Sequence, residues 1–450
     1  MMASGHFPAV APPSGYEGPR RSLILAGGGM RVAYQAGVVR ALLEEGLSFH
    51  HADGTSGGTM NLAMLLSGLS PEEMCRRWRT LDVNDFVSLL PLRMYARGPA
   101  DLPALGGAEG VVKRVFPHLG IDIEQIRAAQ GMQGTFNVCN YTRKTNEVIP
   151  HENLDLPLLL ASISLPIFMP PVPHNGCLYM DSVWIRDANL GEAVRRGSDE
   201  IWVVWCIGNM GEYLGGAFNQ YVHMIELSAN GNLFKEFDEI ATLNRSRHHP
   251  IRVHVIHPEY PLPLDPDYYK GHIDGATLVD RGYRDAAAYL ANRSQDGAPL
   301  GPDATRMRDP LPGITLRASL RGSLGGEGCR LDVGVEIADL DSFLADPVHT
   351  ARLSGRITSK GVGDQRPATD GRAQFGRRLE VDLGFKLDGG AGRMTGAGNG
   401  RWKVGLGTSK GELKLDQLGA ALSVHATGVH GLAERLRTLI RFWAFVLRGR

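Results

Sequence analysis

Gly54-Thr55-Ser56-Gly57-Gly58 sets one serine among small residues, with the apolar run 60–66 directly behind it. The spacing fits Gly-x-Ser-x-Gly, a sharp strand-to-helix turn with the serine at its tip. Gly54 and Gly58 tolerate the backbone angles of such an elbow and keep side chains away from the hydroxyl. The helix that follows aims its positive end at the serine. The chemistry this allows is nucleophilic. A serine hydroxyl is a poor nucleophile at its own pKa, so it needs a base and a place for the negative charge it creates. Upstream, the apolar stretch 23–26 runs into Gly27-Gly28-Gly29-Met30-Arg31. Three successive glycine amides at a strand end can converge on one oxyanion, and Arg31 adds positive charge. The pentapeptide alone also fits a glycine-rich loop that caps an ordinary helix. A second, anion-binding loop is what an activated serine requires and a structural turn does not.

The other reactive side chains form no competing constellation. His254 and His257 lie in the apolar stretch 252–258, where a histidine is more often a satisfied core residue; a Ser–His–Asp triad would need one of them. The remaining histidines and the five cysteines show no metal-ligand spacing, and no cofactor or metal is expected. The glycine loop lacks the Lys-Ser/Thr ending of a P-loop, and Val32 spoils Gly-x-Gly-x-x-Gly, so it is no nucleotide site.

The elements that must position these residues alternate. Strands are predicted at 22–26, 48–52, 135–140, 147–150, 178–181, 200–206 and 252–258. Helices are predicted at 32–43, from Ser56 to about Ser67, from Ser70 onward, at 156–162, 191–196 and 274–292. The uninterrupted apolar run 200–206 is that of a strand covered on both faces. The pattern is α/β with a largely parallel sheet. Residues 84–131 fit either a cap over a substrate cleft or a plain helical insertion. After a polar linker at 294–312 the helical period vanishes. Alternating segments separated by turn residues over 313–430 describe a smaller all-β domain, a sandwich or barrel.

Formal net charge is zero in 450 residues, which gives no electrostatic case for nucleic acid. The odd, scattered cysteines fit a reducing, cytoplasmic setting. Residues 1–20 read as a flexible tail and not a secretory signal. Four prolines (Pro157, Pro166, Pro170 and Pro171) interrupt the longest apolar stretch, 154–172, so it is core and loop and not a membrane span.

Three stretches now stand in order: Gly27–Arg31, Gly54–Gly58, and Asp181, which lies 125 residues after Ser56 and follows the Pro-rich segment 161–171. In this the chain resembles the patatin-like phospholipases over about 22–292. The resemblance implies a three-layer α/β/α acyl hydrolase domain at 21–293. It makes Ser56 the nucleophile and Asp181 the proton acceptor, with Gly27, Gly28, Gly29 and Arg31 at the oxyanion hole. The substrate it implies is a lipid acyl ester, of phospholipase A, lysophospholipase or lipid esterase type. Two positions depart from the family pattern. Asp181-Ser182-Val183 stands where Asp-Gly-Gly or Asp-Gly-Ala is usual, and Val32 replaces a glycine. The usual glycine lets the backbone turn tightly beside the serine; Ser182 and Val183 stand in its place, and Val183 is the bulkier of the two. The alternative is therefore a weakly active or inactive lipid-binding scaffold.

The last segment, 431–450, reads as a basic amphipathic helix. Leu432, Leu436, Leu439, Ile440, Trp443, Val446 and Leu447 fall on one broad face among five arginines. Two readings stay open: peripheral membrane contact through 432–450, or packing of that face on the protein. The oligomeric state is not legible.

Overall fold

In a computed structural model, the described residues are 16–96, 98, 101–211, 215–360, 362–376, 379–387, 390–398, 401–406, 409–415, 423–429 and 432–448. Most of the expected N-terminal tail, 1–15, and Arg450 of the terminal helix lie outside them. The chain divides into two compact units: residues up to Val279 with Asn292–Arg308, and Asp280–Ala291 with the residues from Asp309 on.

The first unit is built on a mixed sheet. β1 (Arg21–Leu25), β2 (His51–Gly54), β3 (Gln133–Asn140), β7 (Glu200–Val204) and β8 (Arg252–Ile256) form its parallel core, in the order β3-β2-β1-β7-β8. β4 (Thr145–Pro150), β5 (Val172–His174) and β6 (Cys177–Met180) join antiparallel at the β3 side. His51 bridges Ser22 Oγ and Thr135 Oγ1 at 2.8 Å on each side, so the buried ring ties three strands together.

Helices cover the sheet. Ala33–Glu44 follows a 3₁₀ turn at Gly29–Val32, and Gly58–Leu66 follows the elbow. Ser70 caps Pro71–Thr80 by accepting the Glu73 N–H at 3.2 Å. The longest helix, Ala217–Asn244, falls in a stretch to which the sequence reading assigns no element. Its Ala229, Leu233, Phe237 and Ile240 pack with Ile201, Val203 and Val255 of the strands. The expected linker runs along this unit as far as Arg308: Ala298 N–H donates to Val253 O at 2.7 Å, and Met307 is buried in the same apolar cluster.

The second unit is an antiparallel β-barrel, which decides between the two expected all-β forms. β9 (Gly313–Leu324), β10 (Glu327–Ile337), β11 (Thr350–Ser359), β12 (Gly363–Phe375), β13 (Leu379–Leu387), β14 (Gly390–Gly398), β15 (Arg401–Leu406) and β16 (Ser409–Leu415) pair in succession. β16 then returns to the C-terminal half of β9, which closes the ring. β17 (Ser423–Thr427) pairs with the N-terminal half of β9. Alternating residues such as Leu331, Val335, Leu353, Ile357, Val381 and Leu383 share one apolar cluster with Phe343 and Phe442. On the helix Gly275–Asn292, Asp280 accepts Arg356 Nη1 at 2.8 Å, and Arg281 and Arg284 flank Glu336.

Leu432–Arg448 is helical, and its apolar residues divide between two faces. Leu439, Phe442, Phe445 and Val446 pack on the barrel cluster. Leu432, Leu436, Ile440, Trp443 and Leu447 are exposed. The single broad face expected from the sequence is thus split, because the packed face centres on Phe442 and Phe445. No described helix is long and apolar enough to cross a membrane.

Candidate active site

Strand β2 ends at Gly54 and the helix Gly58–Leu66 leaves in a new direction, so Ser56 sits at the tip of the turn. Its φ of +52° is in the left-handed region, which an L-residue enters only at a cost of about 1–3 kcal/mol. The surroundings enforce it. Thr55 N–H donates to Leu25 O at 3.1 Å, and Thr59 N–H donates to Ser56 O at 3.0 Å. Gly58 presses on β1 so closely that a Cβ there would lie 2.1 Å from Leu25 O.

Below the elbow, Asp53 is fully buried and accepts from Thr135 Oγ1 and Asn137 Nδ2, each at 2.6 Å. A chain of amides leads onward. Asn146 Nδ2 donates to Asn137 Oδ1 at 3.0 Å, and the Ser182 hydroxyl donates to Asn146 Oδ1 at 2.6 Å. Side-chain hydrogen bonds therefore connect the serine elbow to the residue beside Asp181. Ser182 is a member of this chain, and neither Ser182 nor Val183 has positive φ. The turn after Asp181 thus takes no left-handed φ at the two positions where the family pattern has small residues.

Asp181 follows β6 and is buried. Its N–H donates to Ser164 O at 3.1 Å, and its Oδ1 accepts Val183 N–H at 2.9 Å. Burial pushes its pKa up to about 7, with the neighbouring Ser56 hydroxyl and the Val183 and Ser182 amides pulling it back. Oδ2 is left with no hydrogen-bond partner. The carboxyl thus has an unused acceptor oxygen and a pKa suited to taking a proton near neutrality.

The glycine loop is held from behind. Arg31 Nε donates to Gly28 O at 3.0 Å, Met30 N–H donates to Asp265 Oδ1 at 3.0 Å, and Tyr268 Oη donates to Met30 O at 3.0 Å. Gly27 N–H donates to Asp187 Oδ1 at 3.0 Å. That amide is already used, so it cannot also receive an oxyanion. The sequence reading takes the Gly28 and Gly29 amides for the oxyanion hole and puts Gly27 and Arg31 beside it. No protein acceptor takes the Gly28 or Gly29 amide among the described residues.

Gly28, Gly29, Arg31, Ser56 and Asp181 line one cavity of about 420 Å³; Gly27 does not line it. Its walls are apolar. Phe86, Val87 and Leu89 come from the insertion 84–131, Leu165 and Phe168 from the Pro-rich loop, and Phe218 and Ile225 from the long helix. The insertion thus contributes to the cavity, as a cap would. Among the described residues, no histidine lines it. His254 stacks on Trp202 with ring centroids 4.1 Å apart, and burial lowers its pKa to about 4. Sequence reasoning missed Asn137, Asn146, Asp187 and Asp265, because nothing local marks a carboxylate or amide that will meet the loop from a distant strand.

The parallel-core α/β sheet with a serine on a strand-to-helix turn is the structural context that a Gly-x-Ser-x-Gly pattern calls for. Residues 23–194 match the family described as "Patatin-like phospholipase", and the chain carries a patatin-like phospholipase domain there. The match ends before the region to 292 that the sequence resemblance spans. Members of this family are generally lipid acyl hydrolases. Among solved structures, the chain is similar to the crystal structure of VipD from Legionella pneumophila. That similarity has 13% identity and a TM-score of 0.34, over 60% of this chain and 67% of that one. No curated protein matches.

Proposed function

We propose that the chain is a serine hydrolase of lipid acyl esters, with Ser56 as nucleophile and Asp181 as proton acceptor. The observation that carries this reading is that a strained serine and a buried carboxyl of raised pKa line one apolar cavity beside two unpaired glycine amides. Ser56 Oγ attacks the acyl carbonyl carbon while its proton passes to Asp181. The carbonyl oxygen gains negative charge and is met by the Gly28 and Gly29 amides. The ester C–O bond then breaks, the proton on Asp181 goes to the leaving alkoxide, and an acyl-serine remains. Water, deprotonated by Asp181, attacks that ester; collapse breaks the C–Oγ bond and frees the fatty acid, and the proton on Asp181 returns to Ser56 Oγ. The apolar walls suit an acyl chain. The test is hydrolysis of p-nitrophenyl butyrate and of phospholipid vesicles by the full chain, with release of free fatty acid as the readout.

Ile225 sits on the cavity wall and is buried. Ile225→Trp should lower kcat/KM for decanoyl esters by roughly tenfold or more relative to butanoyl esters, the scale on which apolar pocket contacts discriminate. Equal loss for both chain lengths would mean that this wall does not hold the acyl chain.

We also propose that the terminal helix meets anionic membranes through its exposed stripe. Leu436, Ile440, Trp443 and Leu447 lie along one side, with Arg437, Arg441 and Arg448 exposed beside them. Leu436→Glu with Ile440→Glu should weaken sedimentation with phosphatidylserine vesicles at least about tenfold, because each exposed side chain is worth ~1.5–3 kcal/mol when buried. Hydrolysis of a soluble ester should stay within about twofold. Unaltered vesicle binding would remove the helix from the interface.

A further inference from the structure

Asp187 lies six residues beyond Asp181, on the turn before the helix Leu190–Arg195, and it is fully buried. Its Oδ1 accepts the Gly27 N–H at 3.0 Å, and its Oδ2 has no hydrogen-bond partner. Gly27 is wedged between this carboxyl and the serine. A Cβ on Gly27 would lie 2.3 Å from Asp187 Oδ1 and 2.9 Å from Ser56 Cβ. The position of the Asp187 carboxyl therefore fixes where the start of the glycine loop stands relative to Ser56. Two buried carboxyl groups, Asp181 and Asp187, each keep one oxygen unpaired in the same site.

We propose that Asp187 is a positioning residue for the Ser56–Asp181 site: it clamps the Gly27 amide, and it does so as a neutral acid while Asp181 is ionised. The proposal rests on the hydrolase reading above. A carboxylic acid still accepts a hydrogen bond through its carbonyl oxygen, so the clamp survives protonation. The charged and titratable groups facing Asp187 are Asp181 on the loop after β6, Arg31 on the 3₁₀ turn, and Cys206 just past β7. Burial first, and then the charge of Asp181, push Asp187 up to about 8; the Gly27 amide and Arg31 pull it back. Like charges in one buried site resist double ionisation, so the pair titrates as a unit and carries one negative charge near neutrality. Loss of the second proton puts another charge beside the place where the oxyanion forms. The rate should then fall on the alkaline side.

The test compares wild type, Asp187→Asn and Asp187→Ala as full chains. Hydrolysis of a soluble butyrate ester is followed from pH 5.5 to 9.5, alongside thermal melting and fluorophosphonate labelling. Asn supplies the same Oδ1 acceptor and cannot ionise. The expected profile of the wild type is bell-shaped, with limbs near the two pKa values. Asp187→Asn should keep the acid limb and lose the alkaline one. Asp187→Ala should lose about tenfold or more in kcat with KM within about twofold, and Asn should recover most of that loss. An alkaline limb unchanged in Asp187→Asn, or wild-type kcat in a folded Asp187→Ala, overturns the proposal. If Asp187→Ala does not fold, the Asn profile decides alone. Failure of wild type to label at Ser56 would overturn the hydrolase reading and the proposal with it; normal labelling with unaltered Asp187 variants would overturn the proposal only.

Discussion

Ser56→Ala is expected to abolish ester hydrolysis, lowering kcat/KM by about a thousandfold or more, with little change in melting temperature. Ser56 is 7% exposed and its hydroxyl meets the Asp181 carboxyl, so its loss removes chemistry and little else. Ser56→Gly separates the two roles of the position further. It should be as inactive as Ser56→Ala and melt higher, because glycine adopts a φ of +52° without strain. Retention of more than a few per cent of activity by either variant, with contaminating esterase excluded, would contradict the nucleophile assignment. A lower melting point for Ser56→Gly than for Ser56→Ala would contradict the strain argument.

Asp181→Asn should be as damaging as Ser56→Ala, and the double variant no worse than either single one, since the two residues act as a unit. His254→Ala and His257→Ala should both retain activity, because neither ring lines the cavity. The pH dependence has a definite sign. The proton acceptor must be ionised, so activity falls about tenfold per unit below about pH 7, which is the acid limb of the profile. Stability runs the other way. Burial raises the folded-state pKa above the unfolded value, so the folded chain binds the extra proton, and stability is lost as pH rises from about 4 through 7. Asp181→Asn fixes the neutral form. It should therefore melt higher than wild type at pH 8 and closer to it at pH 4. Activity in Asp181→Asn near that of wild type, or its loss in a folded histidine variant, would return the triad to consideration.

The elbow and the glycine loop were legible because each is contiguous: a run of five residues carries its own geometry. Asp181 was reached only through the family resemblance, since a lone carboxylate after a short strand has no local signature. The partners that fix these groups were not legible. Asp187 on Gly27, Asp265 on Met30 and the Asn137–Asn146 chain depend on which strands become neighbours. The helix Ala217–Asn244 escaped for a related reason. Its buried side carries Asn230 and Glu236, whose tertiary hydrogen bonds to Gly208 O and the Leu190 N–H offset the cost of burying them. Alternation announced the β strands of the second unit, but closure into a barrel rests on β16 meeting β9 across nearly the whole module. Ser182 and Val183 mark a departure from the family pattern in the sequence, and the sequence alone does not show that neither takes a positive φ.

The most direct measurement is reaction of the full chain with a fluorophosphonate at pH 7.5, followed by peptide mass spectrometry. The expected result is one adduct, on Ser56, that forms at least about a hundredfold more slowly in Asp181→Asn and is absent from Ser56→Ala. An adduct on another residue, or none in folded wild-type protein, would contradict a Ser56–Asp181 hydrolase.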